Sequence, residues 1–241
     1  MCSNTSAKSD INSLENRFKA KVKKGLVIEP HFLLNGFEHP KTPIITAEEP
    51  ELIQTFNWGL IPNFCKTLKD AKDMSLKTLN AKSETIFALP SFKNSITSKR
   101  CLVLVDGFYE WQTMGKNKYP YFIQLQNGEP FAFGGIYNTW VNKDTGEIFN
   151  TYSIITTSAN PLMAKIHNSK MRMPLIIPKE KEQQWIDKDL KQNEIEQLML
   201  PFDEHLMEAW TISKLITNRK ENPDKEEVQL SFEYPELELF S

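Results

Sequence analysis

The chain has 241 residues, 40% of them hydrophobic and 25% charged, and its formal net charge is −2. These values exclude a disordered chain and allow one sizeable core, and no apolar run approaches the roughly 20 residues that a transmembrane helix needs. The three cysteines lack the number and spacing of a disulfide framework or a zinc knuckle, and no apolar signal-peptide region follows the N-terminus, so a reducing cytoplasm is favoured.

The first predicted element is an amphipathic helix close to the N-terminus. Asp10, preceded by Ser9, supplies an N-cap signal, and Gly25 supplies a stop signal. The apolar residues between these signals at helical spacing are Ile11, Leu14, Phe18 and Val22.

Strand-like runs dominate the middle of the chain. Two turn signals, Asn127-Gly128 and Asp144-Thr145-Gly146, separate three of these runs and predict an antiparallel meander. The predicted strands cover residues 26–28, 55–61, 101–105, 119–125, 131–140 and 151–156.

Short helices interrupt the strands. Asn160-Pro161 is a start signal for a helix that continues through Ile166, and residues 179–187 and 190–200 have helical composition. The segment after Asn218 is charged and contains prolines, so we expect weak order there until Phe240. The sequence therefore predicts one α+β domain with a mostly antiparallel sheet at residues 1–218, followed by an acidic tail at 219–241.

Cys2 stands where loss of the initiator methionine would make it the first residue. The mature chain would then carry a free α-amine and a thiol on neighbouring carbons. The amine can condense with an aldehyde, and the thiol can close a five-membered ring onto the resulting imine, or act as a nucleophile whose base is its own amine. The alternative is that a cysteine at this position has no function.

Charge is distributed unevenly along the chain. Residues 62–100 carry eight basic and three acidic side chains, whereas residues 221–241 carry seven acids and one lysine. A local basic surface can bind phosphates even on a slightly acidic protein. The alternative is a solvated lysine-rich loop.

Four polar residues have settings that secondary-structure propensity does not explain. Glu110 lies in an aromatic run that would desolvate its carboxyl group and raise its pKa, although alternation along a strand could equally expose it. His167 ends a helix signal, where histidine is more often structural than catalytic. Asn80 precedes a helix start, where asparagine is ordinarily a cap or turn residue. Arg172 is a cation beside a predicted strand.

These residues belong to five motifs that occur in one order along the chain: MC at residues 1–2, NAKSET at 80–85, VDGFYEW at 105–111, IHN at 166–168 and RMP at 172–174. Two more stretches, WGLIP at residues 58–62 and TTSAN at residues 156–160, extend the pattern. In this combination and order the chain resembles one known family, the SOS response-associated peptidase (SRAP) family, whose members shield abasic sites in single-stranded DNA.

The resemblance implies a barrel-like, mostly antiparallel core with short peripheral helices. It also implies that the amine and thiol of Cys2 capture the open-chain aldehyde of an abasic deoxyribose as a thiazolidine. Glu110 matches the family's acid/base, and His167 matches the histidine that assists imine formation and reversal. Asn80 matches the residue that positions the cysteine terminus and the sugar. Self-cleavage before Cys2 and an abasic-site lyase activity are further expectations from the resemblance.

Single-stranded DNA is the expected partner, bound by a monomer in the cytoplasm and at the nucleoid during DNA damage. We expect no metal and no cofactor, because neither a GxxxxGK[ST] loop nor an HExxH motif occurs. The residues predicted to contact DNA are Trp58, Phe64, Lys82, Lys93, Arg100, Trp111 and Arg172.

The sequence departs from the family pattern at several positions. Ser3 and Asn4 stand where the family has glycine and arginine, and Lys82 replaces a common arginine, so a point charge replaces a bidentate fork. Phe64 lies where a second tryptophan is frequent, and residues 169–171 form a short insertion between IHN and RMP. These changes bear on DNA affinity more than on crosslinking chemistry.

Three other functions remain open at this point. An amidotransferase with an N-terminal cysteine nucleophile is one, although Ser3-Asn4 and the absence of an RGPD-type motif disfavour it. A general protease is the second. A non-catalytic single-strand-binding module that uses Trp58, Phe64 and Trp111 is the third, and it would not respond to the loss of the Cys2 thiol.

Overall fold

The fold is taken from a computed structural model, which describes residues 2–218 and 220–238. The strands are β1 (Asn4–Ala7), β2 (Lys21–Val22), β3 (His31–Asn35), β4 (Lys41–Thr46), β5 (Leu52–Trp58), β6 (Asn80–Lys82), β7 (Arg100–Val105), β8 (Gly107–Met114), β9 (Asn117–Leu125), β10 (Phe131–Val141), β11 (Ile148–Ser158), β12 (Arg172–Pro174), β13 (Ile176–Ile177) and β14 (Met207–Thr211).

The helices are short and lie at the periphery. Single turns of 3₁₀ helix occur at Gly36–Glu38, Lys179–Lys181, Glu204–Leu206, Lys214–Thr217 and Glu226–Gln229. The α-helices are α1 (Ile11–Phe18), α2 (Leu68–Ser75), α3 (Lys93–Ile96), α4 (Pro161–Ile166), α5 (Glu182–Trp185), α6 (Gln192–Leu198) and α7 (Pro235–Glu238).

Five strands close into a barrel. The antiparallel neighbours run β11-β10-β7-β4-β5, and β5 pairs in parallel with β11 through Asn57–Thr151 and Trp58–Tyr152, which closes the ring. Closure covers the inner face of β7, and β1 and α5 pack against this strand as well, so all six of its residues are buried. At Gly135 a Cβ atom would lie 2.9 Å from Val103 Cγ2, so the barrel needs a glycine there. The predicted α+β fold with a mostly antiparallel, barrel-like core is confirmed.

A second, five-stranded sheet packs beside the barrel in the order β14-β9-β8-β1-β3. The core between the sheets includes Val103 of β7, Phe108 of β8 and Phe133 of β10. Cys2, which lies two residues before β1, is buried in this same cluster. The second sheet therefore carries the N-terminal segment into the interior.

Helix caps and one hairpin turn were predicted correctly, because these signals act over a few residues. Asp10 caps α1 by accepting from Ser13 N, and Asn160 caps α4, whose first residue is Pro161. Gly146 has φ = 74° in the hairpin that joins β10 to β11, as predicted. The predicted helices at 179–187 and 190–200 correspond to shorter elements, α5 with its preceding 3₁₀ turn and α6.

Three predictions of local structure were wrong. The first helix ends at Lys19, which has φ = 55°, because the following residues pair with β5 as β2 instead of extending to Gly25. Residues 26–28 form no strand, and Val27 is exposed. The Asn127-Gly128 turn does not join paired strands, because β9 pairs with β8 and β14 whereas β10 belongs to the barrel.

The segment after residue 219 packs more closely than its composition indicated. Val228 is fully buried in a cluster with Tyr109 and Phe122, and the Gln229 side chain is buried as well. Ile212 forms a bridge with Ser231. The expectation of weak order is therefore wrong for residues 226–231, while residues 239–241 lie outside the described part of the chain.

Candidate active site

Cys2 lies in the interior, with 1% of its surface exposed. Its Sγ donates a long hydrogen bond of 3.7 Å to the Asn4 carbonyl oxygen. Burial raises the pKa of the Cys2 thiol well above its usual range, and the nearby Glu110 carboxylate raises it further. The sulfur is therefore a neutral thiol, and while Met1 is attached the Cys2 nitrogen is an amide. Met1 itself lies outside the described residues.

Asn80 fixes the main chain of Cys2. Its Nδ2 donates to the Cys2 carbonyl oxygen at 2.7 Å, and its Oδ1 is buried with no hydrogen-bond partner among the described residues. Asn80 has neither of the ordinary roles of asparagine, a cap or a turn residue, because residues 80–82 form β6, which pairs in parallel with β11. The strand pairing turns the amide toward Cys2, and the unpartnered oxygen can accept from an amine.

Glu110 is the buried acid of the site. It lies in β8, and with Phe108 and Tyr109 also buried, that part of the strand is covered on both faces. Only 4% of Glu110 is exposed, and burial raises the pKa of its carboxyl group to about 7. Its Oε1 has no hydrogen-bond partner within residues 2–218 and 220–238. The solvent-facing alternative is excluded, and the group can exchange protons near neutral pH.

His167 follows α4 as its C-cap and is 5% exposed. Its Nδ1 lies 2.9 Å from the Arg172 carbonyl oxygen, which can only accept, so Nδ1 carries the proton in the neutral ring and Nε2 is the basic nitrogen. Burial lowers the pKa of the imidazole. The Nδ1 atom also lies 3.6 Å from Glu110 Oε1, a close contact longer than a hydrogen bond.

The four predicted catalytic residues are linked by these contacts into one buried cluster. Asn80 holds Cys2 through its carbonyl group, the Glu110 charge acts on the Cys2 thiol, and His167 contacts the Glu110 carboxyl group. The environment raises the pKa of the acid and lowers the pKa of the imidazole. Near pH 7 the cluster therefore holds a partly protonated carboxyl group beside a neutral base, which is an arrangement suited to moving protons.

Arg172 and Lys82 lie at the edge of this cluster, on β12 and β6 respectively. The Arg172 guanidinium pairs with the Glu84 carboxylate and donates to the Thr156 carbonyl oxygen. Its charge is therefore already neutralised, and only 13% of its side chain is exposed. Lys82 is exposed and opposes Thr156 across the parallel β6–β11 pair. Lys82 is thus the more accessible of the two predicted phosphate contacts.

Two predicted DNA contacts need correction. Trp58 is fully buried, and its indole N–H donates to the Leu79 carbonyl oxygen at 2.8 Å. Arg100 is also fully buried, and its guanidinium donates to main-chain carbonyl groups of Ile96, Thr97 and Trp185. A DNA base therefore cannot stack on the Trp58 indole, and a DNA phosphate cannot reach the Arg100 guanidinium. Sequence reasoning failed here because a charged side chain is ordinarily exposed, and because the motif around Trp58 does not show which of its side chains the core encloses.

The remaining predicted DNA contacts line two surface cavities. Phe64 and Lys93, both exposed, border a groove of about 370 Å³. Trp111 is half-buried and borders a cavity of about 900 Å³ together with Ser3 and Asn4, the residues that follow Cys2. The aromatic side chains at both places are available for stacking.

Several residues inside the quoted motifs have roles that were not predicted. Asp106 accepts from Lys8 N at 2.6 Å and from Ser9 N at 2.9 Å, and so fastens the chain just after β1. Asn168 exchanges two hydrogen bonds with the main chain of Thr113, which ties the His167 segment to β8. The motifs VDGFYEW and IHN drew attention to Asp106 and Asn168, but their hydrogen-bond partners are distant in the sequence and could not be predicted from it.

No group of three or more His, Cys, Asp or Glu side chains in the described part of the chain could hold a metal ion. Within the same residues no helix is both long and apolar enough to cross a membrane.

Residues 1–219 match the family model described as SOS response associated peptidase (SRAP). Among curated proteins, the chain is 39% identical over 202 residues to the abasic site processing protein YoqW of Bacillus subtilis, which covers 79% of this chain and 87% of that protein. It is 31% identical over 193 residues to the abasic site processing protein HMCES of Gallus gallus, covering 72% of this chain and 55% of that protein.

A solved structure of a protein from Bacteroides thetaiotaomicron has the same architecture. It superimposes with a TM-score of 0.90 at 36% identity and covers 96% of this chain and 100% of that one. A second solved structure, of a protein from Bordetella bronchiseptica, has a TM-score of 0.75 at 22% identity, and this likeness concerns the fold alone.

Proposed function

The chain belongs to the SOS response associated peptidase (SRAP) family, and we propose that it captures abasic sites in single-stranded DNA as a covalent thiazolidine on Cys2. Its curated relatives are named abasic site processing proteins. One observation carries the proposal: the N-terminal segment delivers a buried thiol to a carboxyl group with a pKa of about 7 and, through it, to a neutral imidazole.

Removal of Met1, by self-cleavage or by an aminopeptidase, comes first and turns the Cys2 amide into an amine. An α-amine ordinarily has a pKa of about 8, so a much larger fraction of it is unprotonated near neutral pH than of a lysine amine. Asn80 Oδ1, which is buried without a partner in the described residues, is the acceptor we assign to this amine. The two reacting groups then belong to one residue, which gives ring closure a high effective concentration.

The proposed reaction passes through an imine. Glu110, in its protonated form, donates to the sugar ring oxygen as the ring opens to the aldehyde. The amine adds to the aldehyde carbon, and loss of one water leaves a carbon–nitrogen double bond. The thiol then adds to that carbon, and its proton ends on the ring nitrogen. His167 Nε2 accepts and returns protons in these steps, and it assists reversal because a catalyst accelerates both directions.

The protein would act in the DNA damage response, in the cytoplasm and at the nucleoid. Strand elimination after imine formation would give a lyase activity from the same groups. A general protease needs a cleft for an extended peptide, and no observation favours one over the DNA function. A non-catalytic single-strand-binding module is the competing function. Such a module would bind DNA without forming a covalent adduct through the Cys2 thiol.

The test is to mix the protein with a single-stranded oligonucleotide that contains one abasic site. We expect an adduct that survives denaturing electrophoresis, and an intact mass equal to the chain without Met1 plus the DNA minus one water. The matched control is a tetrahydrofuran abasic analogue, which cannot open to an aldehyde and should give no adduct. Absence of an adduct from protein with a verified free Cys2 terminus would disprove the proposal.

DNA affinity is expected to depend on exposed lysines, not on Arg172 or Arg100. Replacing Lys82 and Lys93 together with glutamine should weaken binding and reduce the slope of log affinity against log salt by about 1.4, because each lost phosphate contact on a single strand removes about 0.7. Fluorescence anisotropy at several salt concentrations measures this slope. The control pair Lys188→Gln and Lys191→Gln, also exposed but outside residues 62–100, should leave the slope unchanged. An unaltered slope in the first pair would mean that other groups hold the phosphates.

A further inference from the structure

The Gln229 side chain connects three strands around the candidate active site, although it lies beyond the residues that match the family model. Its Nε2 lies 2.9 Å from Ser6 Oγ on β1, 3.1 Å from the Tyr109 hydroxyl oxygen on β8 and 3.3 Å from the Phe32 carbonyl oxygen on β3. Its Oε1 accepts from Lys8 Nζ at 2.8 Å. The side chain is 7% exposed, so these contacts are made largely out of water.

The direction of these hydrogen bonds fits an amide. The Tyr109 hydroxyl donates its proton to the Phe32 carbonyl oxygen at 2.6 Å, and the Ser6 hydroxyl donates to the His31 carbonyl oxygen at 3.2 Å. Both hydroxyl oxygens therefore face Gln229 as acceptors, and its N–H groups serve them. A carboxylate of the same shape would place lone pairs against the Phe32 carbonyl oxygen and would draw both hydroxyl protons away from their carbonyl partners.

The main chain at Gln229 is held in place independently of its side chain. The Trp210 indole N–H donates to the Gln229 carbonyl oxygen at 2.7 Å. Upstream, Asp224 accepts from Leu33 N at 2.9 Å and contacts His31 Nδ1 at 2.7 Å, which ties the same segment to β3. The amide is thus presented to β1 and β8 from a fixed position.

The strands that Gln229 joins carry the reacting groups. Ser6 lies on the strand that follows Cys2, and Tyr109 immediately precedes Glu110. Strands β1 and β8 pair through only two residue pairs, Thr5–Phe108 and Ser6–Gly107, so their own ladder is short. The link through Gln229 adds a second connection between them. A displacement of about 1 Å at a reacting group can cost roughly a hundredfold in rate.

We propose that Gln229 is a positioning residue that sets β1 against β8, and so sets Cys2 against Glu110, in the crosslinking reaction. This proposal rests on the proposed function. The Gln229 amide would then be part of the active-site scaffold, although it lies within the segment that composition describes as an acidic tail.

The experiment compares Gln229→Glu with Val228→Ala. Both changes affect the same buried segment, but Val228→Ala removes apolar packing and leaves the Gln229 amide intact. We expect Gln229→Glu to lower the single-turnover crosslinking rate at saturating abasic DNA by ten- to a hundredfold (about the cost of a small misplacement) with an unchanged half-saturating DNA concentration. Val228→Ala should lower the melting temperature and keep the rate within about twofold of the wild type.

Two results would overturn the proposal: a wild-type rate in Gln229→Glu, or an equal loss of rate in both variants, which would make the segment a stabilising part only. If Gln229→Glu fails to fold, Gln229→Met, which has no charge and a similar shape, carries the same expectation. Amide hydrogen exchange of β1 separates this proposal from the proposed function. If the wild type forms no adduct the proposed function fails, whereas exchange in β1 that is no faster in Gln229→Glu than in Val228→Ala contradicts the positioning role.

Discussion

Cys2→Ala is expected to remove the denaturation-resistant adduct completely while leaving DNA binding intact. Alanine is small enough for the initiator methionine still to be removed, so the variant keeps a free α-amine. This amine can form an imine with the abasic aldehyde, but no thiol is present to close the ring, and the imine hydrolyses. Adding borohydride during the reaction should restore a stable adduct, because reduction converts the imine to an amine.

The matched control for this variant is Cys65→Ala. Cys65 is also a buried free cysteine, but it belongs to a different apolar cluster from Cys2. Its replacement should leave the amount of adduct unchanged. A heat-stable adduct from Cys2→Ala without reductant would contradict the thiazolidine mechanism. DNA binding by the wild type without any covalent adduct would favour the non-catalytic module.

Glu110→Gln is expected to slow adduct formation by roughly a hundredfold or more, which is the size of contribution that a positioned general acid makes. The amide keeps the shape of the side chain but cannot exchange the proton. Because the Glu110 carboxyl group has a pKa of about 7, its protonated form is depleted as pH rises above 7. Because the α-amine of Cys2 must also be unprotonated, the wild-type single-turnover rate should be bell-shaped against pH, and its falling limb at high pH should be absent from the variant.

The same variant should gain stability at high pH. Burial raises the pKa of Glu110 from 4.5 to about 7, so the folded protein binds this proton more tightly than the unfolded chain does. The stabilisation is fully present below about pH 4.5 and is lost as pH rises through 7, because a charge must then remain buried. Thermal unfolding should show Glu110→Gln above the wild type at pH 8 and close to it at pH 4.

Exposed Glu180, for which the analogous change removes no buried charge, provides the control. Glu180→Gln should follow the wild type in both the rate profile and the melting temperature. A wild-type crosslinking rate in Glu110→Gln would show that this carboxyl group has a structural role and no catalytic one. A rate loss without the change in pH profile would mean that its proton is not the one transferred.

Short-range features followed from the sequence because their causes lie within a few residues. Asp10 and Asn160 cap helices whose first-turn amides are three residues away, and Gly146 supplies the positive φ that the β10–β11 hairpin needs. The ordered motifs likewise identified Cys2, Asn80, Glu110 and His167 as one candidate set. Their chemistry depends on residue type, which the sequence states directly.

Tertiary structure decided which segments pair and which side chains are buried. Asn127-Gly128 is a turn, but its flanking strands join different sheets, because pairing depends on apolar faces that meet across the whole domain. Asn80 lies in a strand because β11, more than seventy residues later, pairs with it. Trp58 and Arg100 lie in the core because distant main-chain carbonyl groups accept their N–H groups.

The protonation states of the site also belong to the tertiary structure. The aromatic neighbours of Glu110 in the sequence indicated a raised pKa, but one face of an isolated strand would have remained in water. The contacts of α4 and β1 with β8 help to enclose the carboxyl group and bring Cys2 and His167 close to it. Amino-acid sequence alone thus determined the candidate reacting groups, whereas long-range packing determined their separation and charge, because desolvation depends on every segment that encloses them.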